Sequence, residues 1–313
     1  MPEVIILALS ISKQMNKVKQ AYLELHIAVL LFGFTAILGD LISLSAIVLV
    51  WWRVLITSIS LLFLIRFGKN LRKIPRRLIL QYMAIGAIVA VHWLCFFGAV
   101  KYSNASICLV CMSTTSLFAA ILEPIMLREK KFEWHELGIG LIIIPSMALI
   151  VTTTELEMKM GIWIGLMSAL LAAVFSIWNK KLINESDPME ITFIELGSGW
   201  LFLSLLMPFY LSSGTDISFW PTTSDWGYLL VLALLCTTLA YVLSLRALKH
   251  ISAFASTLTI NLEPVYGIIL AWLILKENKE LNSTFYIGGA MILIAVLSYP
   301  LITRRLKNKN KLS

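Results

Sequence analysis

The 313 residues are 59% hydrophobic and only 14% charged, with a net charge of +8. That balance excludes an ordinary soluble domain. The excess base lies in short loops between apolar runs, so it reads as a topology signal rather than a nucleic-acid interface.

Apolar runs of ~18–24 residues recur along the whole chain, the length of helix that crosses a ~30 Å hydrocarbon slab. No period-2 alternation is sustained, which argues against a transmembrane barrel. In lipid each backbone must satisfy its own polar groups, so the runs are expected to be helices. The expected class is all-α: a polytopic membrane protein of ten transmembrane helices, at about 22–42, 46–66, 78–100, 103–127, 135–153, 161–181, 190–211, 226–248, 252–275 and 284–303. The turns between spans one and two, three and four, and eight and nine are very short and require tight antiparallel hairpins.

Residues 1–21 form an expected cytoplasmic arm. Its stretch VIILALSI is too short to span, lacks a preceding basic segment and is followed by Lys13, Lys17 and Lys19, so it is a poor signal peptide. Met15 is an alternative start, with disorder expected before it. Span one contributes Gly33 as a hinge. Span two carries Arg53, either a neutraliser of a carboxylate or a snorkelling anchor. Span three carries His92, suited to proton coupling by its near-neutral reference pKa or simply a hydrogen-bonded interior His. Its neighbour Trp93 suits an aromatic or cationic solute, or an interfacial belt.

Span four holds the polar run Ser113, Thr114, Thr115 and Ser116, then Glu123 and Pro124 near its inner end. Glu123 is expected to be structural, meeting Arg128 or a neighbouring loop. Gly161 and Gly165 in span six form a GxxxG, and Gly197 and Gly199 flank Ser198 in span seven. Such positions allow close helix approach, within the bundle or in a homodimer. Asn179, Lys180 and Lys181 read as interface residues. Glu195 in span seven is a protonatable candidate, and Tyr241 in span eight is another aromatic one.

Span nine carries Asn261, Glu263 and Pro264. Ionisable groups inside a span cost about 2.5–3.5 kcal/mol on insertion scales and are functional candidates by default. Glu263 ranks first, because Pro264 removes a donor and loosens the ladder at mid-depth. It reads as a substrate-amine or proton site, or as a buried acid holding the kink. At 1.5 Å per residue Arg53 and Glu195 differ in depth by roughly 10 Å, so each is expected to serve its own vestibule.

The cysteines Cys95, Cys108, Cys111 and Cys236 all lie within apolar runs. Cys108 and Cys111 form a CxxC that no second pair or nearby His completes, so no metal or other cofactor is expected.

The chain is duplicated. Residues 79–131 lie over 227–279 at an offset of 148, with AVKYSNAS meeting ALKHISAF and LREKK meeting LKENK. Earlier segments align at an offset of 142, placing Gly33 on Phe175 and Arg53 on Glu195. The difference is absorbed in the polar loop SSGTDISFWPTTSD. With the amino terminus inside, inner segments hold 21 of the 26 Lys and Arg and outer loops only 4, so both termini are expected in the cytoplasm. Five spans per half is odd, so the second half enters the bilayer upside down. Two inverted halves exchanging conformations are the basis of alternating access.

The Gly33 region, WWRVLITSISLL with Arg53, the GAVKYSNAS hairpin, NLEPVYGIILAWLILKE around Pro264, and the span-end acids Glu129 and Glu277 together resemble the drug/metabolite transporter superfamily. The type is an EamA transporter with two tandem EamA domains. The resemblance covers roughly residues 22–303. It implies a ten-helix fold, here with repeats at 22–153 and 161–303, and movement of a small organic solute, often outward; Arg304, Arg305, Lys307, Lys309 and Lys311 make 304–313 a basic cytoplasmic tail. One departure is that the partner of Pro264 is Ser116, which questions the symmetry of the two central kinks.

The expectation is a plasma-membrane secondary transporter of a small-molecule metabolite, an amino acid or related solute, with proton coupling possible. No G-x-x-x-x-G-K-[ST] loop exists to bind ATP phosphates. An intramembrane enzyme would need HExxH, which His135-Glu136 does not continue, or a G-x-S-x-G elbow, which is missing. A membrane scaffold would need a soluble module or a long charged tail, and neither is present.

Overall fold

The computed structural model describes residues 2–65, 71–127, 130–153, 158–212 and 218–275, and from the last segment residues 283–284, 286–291, 294–295, 298 and 302. The described residues are helical and contain no strand. The elements are α1 (Pro2–Leu41), α2 (Ala46–Leu64), α3 (Arg76–Tyr102), α4 (Ala105–Met112), α5 (Thr115–Met126), α6 (Trp134–Thr153), α7 (Lys159–Leu182), α8 (Pro188–Leu211), α9 (Thr223–Ala233), α10 (Ala240–Leu248), α11 (Ala253–Ile260) and α12 (Glu263–Ile274). A π-helical stretch, Leu234–Leu239, joins α9 to α10.

Eight spans among the described residues are long and apolar enough to cross a membrane. The 20-residue α6 stands where the fifth span is expected. The tenth expected span lies mostly outside the described residues, with helix present at residues 286–291. The segment before Met15, expected to be disordered, instead continues α1.

Helix starts follow local chemistry, and they follow the repeat. Asn104 caps α4 by accepting from the Ile107 N–H, and its repeat mate Ser252 caps α11 by accepting from the Ala255 N–H. Ser45 and its repeat mate Asp187 occupy the cap positions of α2 and α8. Thr222 and Asp225 form a reciprocal capping box at α9.

One end of the bundle carries Arg76, Arg77, Lys130, Lys180, Lys181, Arg246 and Lys249 at helix ends and turns; it is the basic end. At the far end α1 and α3 finish, and α7 begins beside the end of α3, where Gly161 faces Ser103. Span one therefore runs from basic to far end and span six the opposite way, which is the inverted arrangement expected from the duplication.

Spans four and nine both break at mid-length, at Ser113–Thr114 and at Asn261–Leu262, which are repeat-equivalent positions. The kinks are thus matched although only span nine carries the central proline. In span four the hydroxyls of Ser113, Thr114 and Thr115 donate to carbonyls three residues back at 2.6–2.7 Å. This local competition with the backbone ladder loosens the helix where Pro264 does so in span nine. Asn261 Nδ2 donates to Ser116 Oγ at 2.8 Å and ties one break to the other.

Small residues decide how closely helices approach. Gly161 and Gly165 both face inward, against Ser103 and Cys111, so this GxxxG serves packing inside the bundle. Gly33 meets α12, where an added Cβ would lie 3.0 Å from Tyr266 Cβ. Gly86 on α3 meets α8 so closely that an added Cβ would collide with the Glu195 carbonyl oxygen. A Gly86→Val substitution must push α3 and α8 apart, and overpacking of this kind costs about 1–3 kcal/mol or more. The expected result is a clear drop in melting temperature in detergent, while Gly197→Ala, which has nothing within 4 Å, leaves it unchanged.

Glu123 seals the basic end. Its carboxylate accepts from the Ala253 and Phe254 N–H groups at 3.0 Å, at the open N-terminus of α11, and pairs with Lys130 at 2.7 Å. Lys130 also reaches Glu136 at 2.8 Å. The anticipated neighbouring loop thus supplies the partner, while Arg128 lies outside the described residues. Burial pulls the Lys130 ammonium down, but its bonds to Glu123 and Glu136 more than offset this and hold it above the ordinary lysine value. The cluster's stabilisation from this lysine is therefore present at neutral pH and is lost only as pH rises through that raised value. Glu123→Ala removes both the cap and the ion pair, so about 1–3 kcal/mol of stability should go with it, read by thermal unfolding.

Candidate functional site

A cavity of about 100 Å³ lies between the halves. It is smaller than the several hundred Å³ of drug-sized pockets and suits a small solute. Its wall takes Phe32 and Thr35 from α1, Arg53 from α2, and His92, Trp93 and Phe96 from α3. The other half supplies Phe175 and Asn179 from α7, Tyr241 from α10, and Ser256, Thr257 and Glu263 from spans nine's two segments.

Arg53 is 1% exposed. Its guanidinium carbon lies 4.1 Å from the centroid of the Trp93 ring and 5.3 Å from that of Phe97. Its Nε donates to Thr237 Oγ1 at 2.6 Å, while Nη1 has no hydrogen-bond partner among the described residues. Thr237 lies in the π-helical stretch, where its hydroxyl also donates to the Leu232 carbonyl at 2.6 Å. Thr57 donates to the Ala233 carbonyl and Ser60 meets Thr238, so α2 grips this irregular segment along its length. Such π-bulges concentrate at functional sites.

The repeat mates Trp93 and Tyr241 touch, with ring centroids 6.2 Å apart and an edge-on geometry. They therefore sit on the pseudo-two-fold axis. Arg53 lies on the Trp93 side. Its repeat mate Glu195 lies on the Tyr241 side, accepting from Tyr241 Oη at 2.7 Å and from Asn179 Nδ2 at 3.2 Å. The separate vestibules inferred from depth do not describe this arrangement. Arg53 lines the cavity, and Glu195 sits directly behind two other wall residues. The Trp93–Tyr241 contact stands between the two residues, a link that counting residues along helices does not reveal.

His92 Nδ1 lies 2.9 Å from both the carbonyl and the hydroxyl of Ser168, and that hydroxyl donates to the His92 carbonyl at 3.0 Å. A neutral ring with its proton on Nδ1 satisfies all three contacts and leaves Nε2 as an acceptor. The rings of Phe96 and Phe175 flank it.

Glu263 lines the cavity at the start of α12. Asn261 and Ser113 are buried at the two breaks, and Thr115 lines the cavity beside them. The structure thus brings Arg53, His92, Trp93, Thr115, Tyr241 and Glu263 to one space. Asn261, Ser113 and Glu195 lie just behind it. Pro264 has a described backbone but its side chain is outside the described residues.

Asn179, Ser168 and Thr237 were missed. Asn179 reads from its neighbours Lys180 and Lys181 as an interface residue, yet it is 1% exposed. The available signal was helical spacing: Ser168, Ala172, Phe175 and Asn179 fall on one face of span six.

The cavity reaches toward the basic end, where Asn179 and Leu248 belong to the last turns of α7 and α10. The far end is closed. Asp225 accepts from the Ser43 N–H at 2.8 Å and from Ser43 Oγ at 2.7 Å, and Lys101 donates to the Ile42 carbonyl at 2.7 Å. Beside them Trp51, Trp52, Trp200, Phe219, Trp220 and Trp226 form an aromatic cluster with ring separations of 5.0–5.8 Å. Trp52 Nε1 fixes it by donating to the Phe219 carbonyl at 2.9 Å.

A family profile described as EamA-like transporter family matches residues 20–152 and again 159–299. The uncharacterized transporter YetK of Bacillus subtilis is 26% identical, over 93% of this chain and 90% of that one. The uncharacterized transporter YyaM of the same organism is 22% identical, over 88% and 93%. A crystal structure aligns with a TM-score of 0.68 at 15% identity, covering 92% of this chain and 99% of that one, and so supports the fold.

Proposed function

We propose that this chain, which belongs to the EamA-like transporter family, is a plasma-membrane secondary transporter that exports an amino acid or related small zwitterion by alternating access. The single observation that carries this is the cavity on the pseudo-two-fold axis, walled by a cation, Arg53, and a carboxylate, Glu263. Nη1 of Arg53 is a buried donor with no partner among the described residues, which a solute carboxylate would satisfy once the site opens to admit it. Glu263 faces the same space and suits an ammonium. Phe32, Phe96 and Phe175 provide apolar wall for a side chain. Both charges are held where an unpaired ion is costly, which favours a solute that neutralises both.

The repeats at 22–153 and 161–303 are the moving halves, with Gly33 and the Pro264 break as flexing points. In this reading both termini lie in the cytoplasm, which the bias of Lys and Arg toward the inner segments supports. The cavity then reaches toward the cytoplasmic side, from which an exporter loads.

The test is a thermal-stabilisation screen of purified protein against amino acids and their blocked analogues. A ligand that binds the folded state raises the melting temperature with dose. Free amino acids should stabilise, and the corresponding methyl esters and N-acetyl forms should not. Equal stabilisation by the blocked analogues would refute the two-charge reading. Flux of the stabilising solute from inside-out vesicles then tests direction.

A further inference from the structure

We infer that Glu195, with Asn179 and Tyr241, forms a proton-binding site one side chain behind the solute cavity. Glu195 is 0% exposed, and its Oε2 accepts from Tyr241 and Asn179. Its Oε1 has no partner among the described residues, and neither does Asn179 Oδ1. A carboxyl buried in this way is strongly disfavoured as an unpaired ion.

No cation faces it. From α3 the nearest titratable group is Tyr82, whose hydroxyl donates to the Leu182 carbonyl. From α7 the facing group is the neutral Asn179; the ammonium of Lys180 turns away to the Leu248 carbonyl at 2.7 Å. From α10 it is Tyr241. From α2, Arg53 is committed to Thr237 and Trp93. On α8 itself Glu190 is more than a turn away.

The first half of the repeat therefore holds a permanent cation where the second half holds an acid. Oε1 is closed to water-sized occupants, so the species that fits is a proton, not a hydrated sodium ion. Uptake runs through the wall: Tyr241 Oη, which lines the cavity, passes its proton to the Glu195 carboxylate and regains one from cavity water, leaving Glu195 as the neutral acid, and release reverses it. Asn179 and Tyr241 both line the cavity, so they are the wall through which solute and proton sites sense each other.

Coupling to transport rests on the transporter reading above, but proton binding does not, and it is read without solute or gradient. The experiment is infrared difference spectroscopy of the purified protein across a pH titration, with and without sodium at constant ionic strength. Wild type should show a protonated-carboxyl band that disappears as pH rises. Glu195→Gln should lack that band, and Tyr241→Phe should retain it at a shifted frequency, because one hydrogen bond is gone. Folding of each variant is checked by gel filtration, and if Glu195→Gln fails to fold, the Tyr241→Phe shift decides. A band unchanged in both variants, or one that follows sodium rather than pH, overturns the site.

Discussion

Glu263→Gln should lower flux of the identified solute by roughly 10–100-fold while the protein stays folded in the membrane, since a bond to a charged partner is worth about 1.5–3 kcal/mol. Gln keeps the volume and one carbonyl acceptor but removes the charge that attracts an ammonium. The fold should not suffer, because a neutral amide is easier to bury than a carboxylate. The cap of α11 and the Asn261–Ser116 bond are untouched. The measurement is counterflow in proteoliposomes, normalised to folded protein. Wild-type flux in the variant would remove Glu263 from the solute site and leave it as a residue that holds the kink.

The S43C/D225C double variant should be inactive when oxidised and active again on reduction. Ser43 Oγ and Asp225 Oδ2 lie 2.7 Å apart across the far end, so the two positions face each other there, and formation of the cross-link is verified by thiol titration before flux is read. A covalent tie there prevents the far end from opening while leaving the cavity and its charges intact. Cys108, Cys111 and Cys236 are buried, and Cys95 is replaced by Ser beforehand to keep the readout clean. Flux at the reduced level in a fully cross-linked sample would mean that solute does not leave by this end. The aromatic cluster behind the Ser43–Asp225 tie would then be a permanent seal.

The repeat was legible in the sequence because apolar periodicity and aligned pairs survive divergence, and because the same caps recur at Asn104 and Ser252. The charged candidates Arg53 and Glu263 were legible because such groups are expensive in a span. What failed were inferences about contact. Counting residues along helices separates Arg53 from Glu195 in depth, but it does not reveal that both stand against the Trp93–Tyr241 contact. Asn179 was hidden by its basic neighbours, although helical spacing places it on the face of Phe175. The broken geometry of span four was masked by the missing proline, because serine and threonine hydroxyls loosen a helix without an obvious sequence marker. The π-helical stretch at Leu234–Leu239 leaves no sequence signal, since its repeat mate is regular helix in α3.

The inverted repeat makes a specific demand on motion. The offsets carry Ser43 onto Glu185 and Asp225 onto Arg77, two exposed residues of opposite charge at the basic end. Under the proposed alternating access, the repeat predicts that this pair takes over the closing role of Ser43 and Asp225 when the far end opens. The direct measurement is the distance between spin labels on two pairs of exposed sites, Asp40 with Ser224 at the far end and Asn184 with Arg76 at the basic end, as solute and pH are varied. The account predicts that one distance lengthens while the other shortens. Two distances that stay fixed, or that change together, would contradict alternating access between these halves.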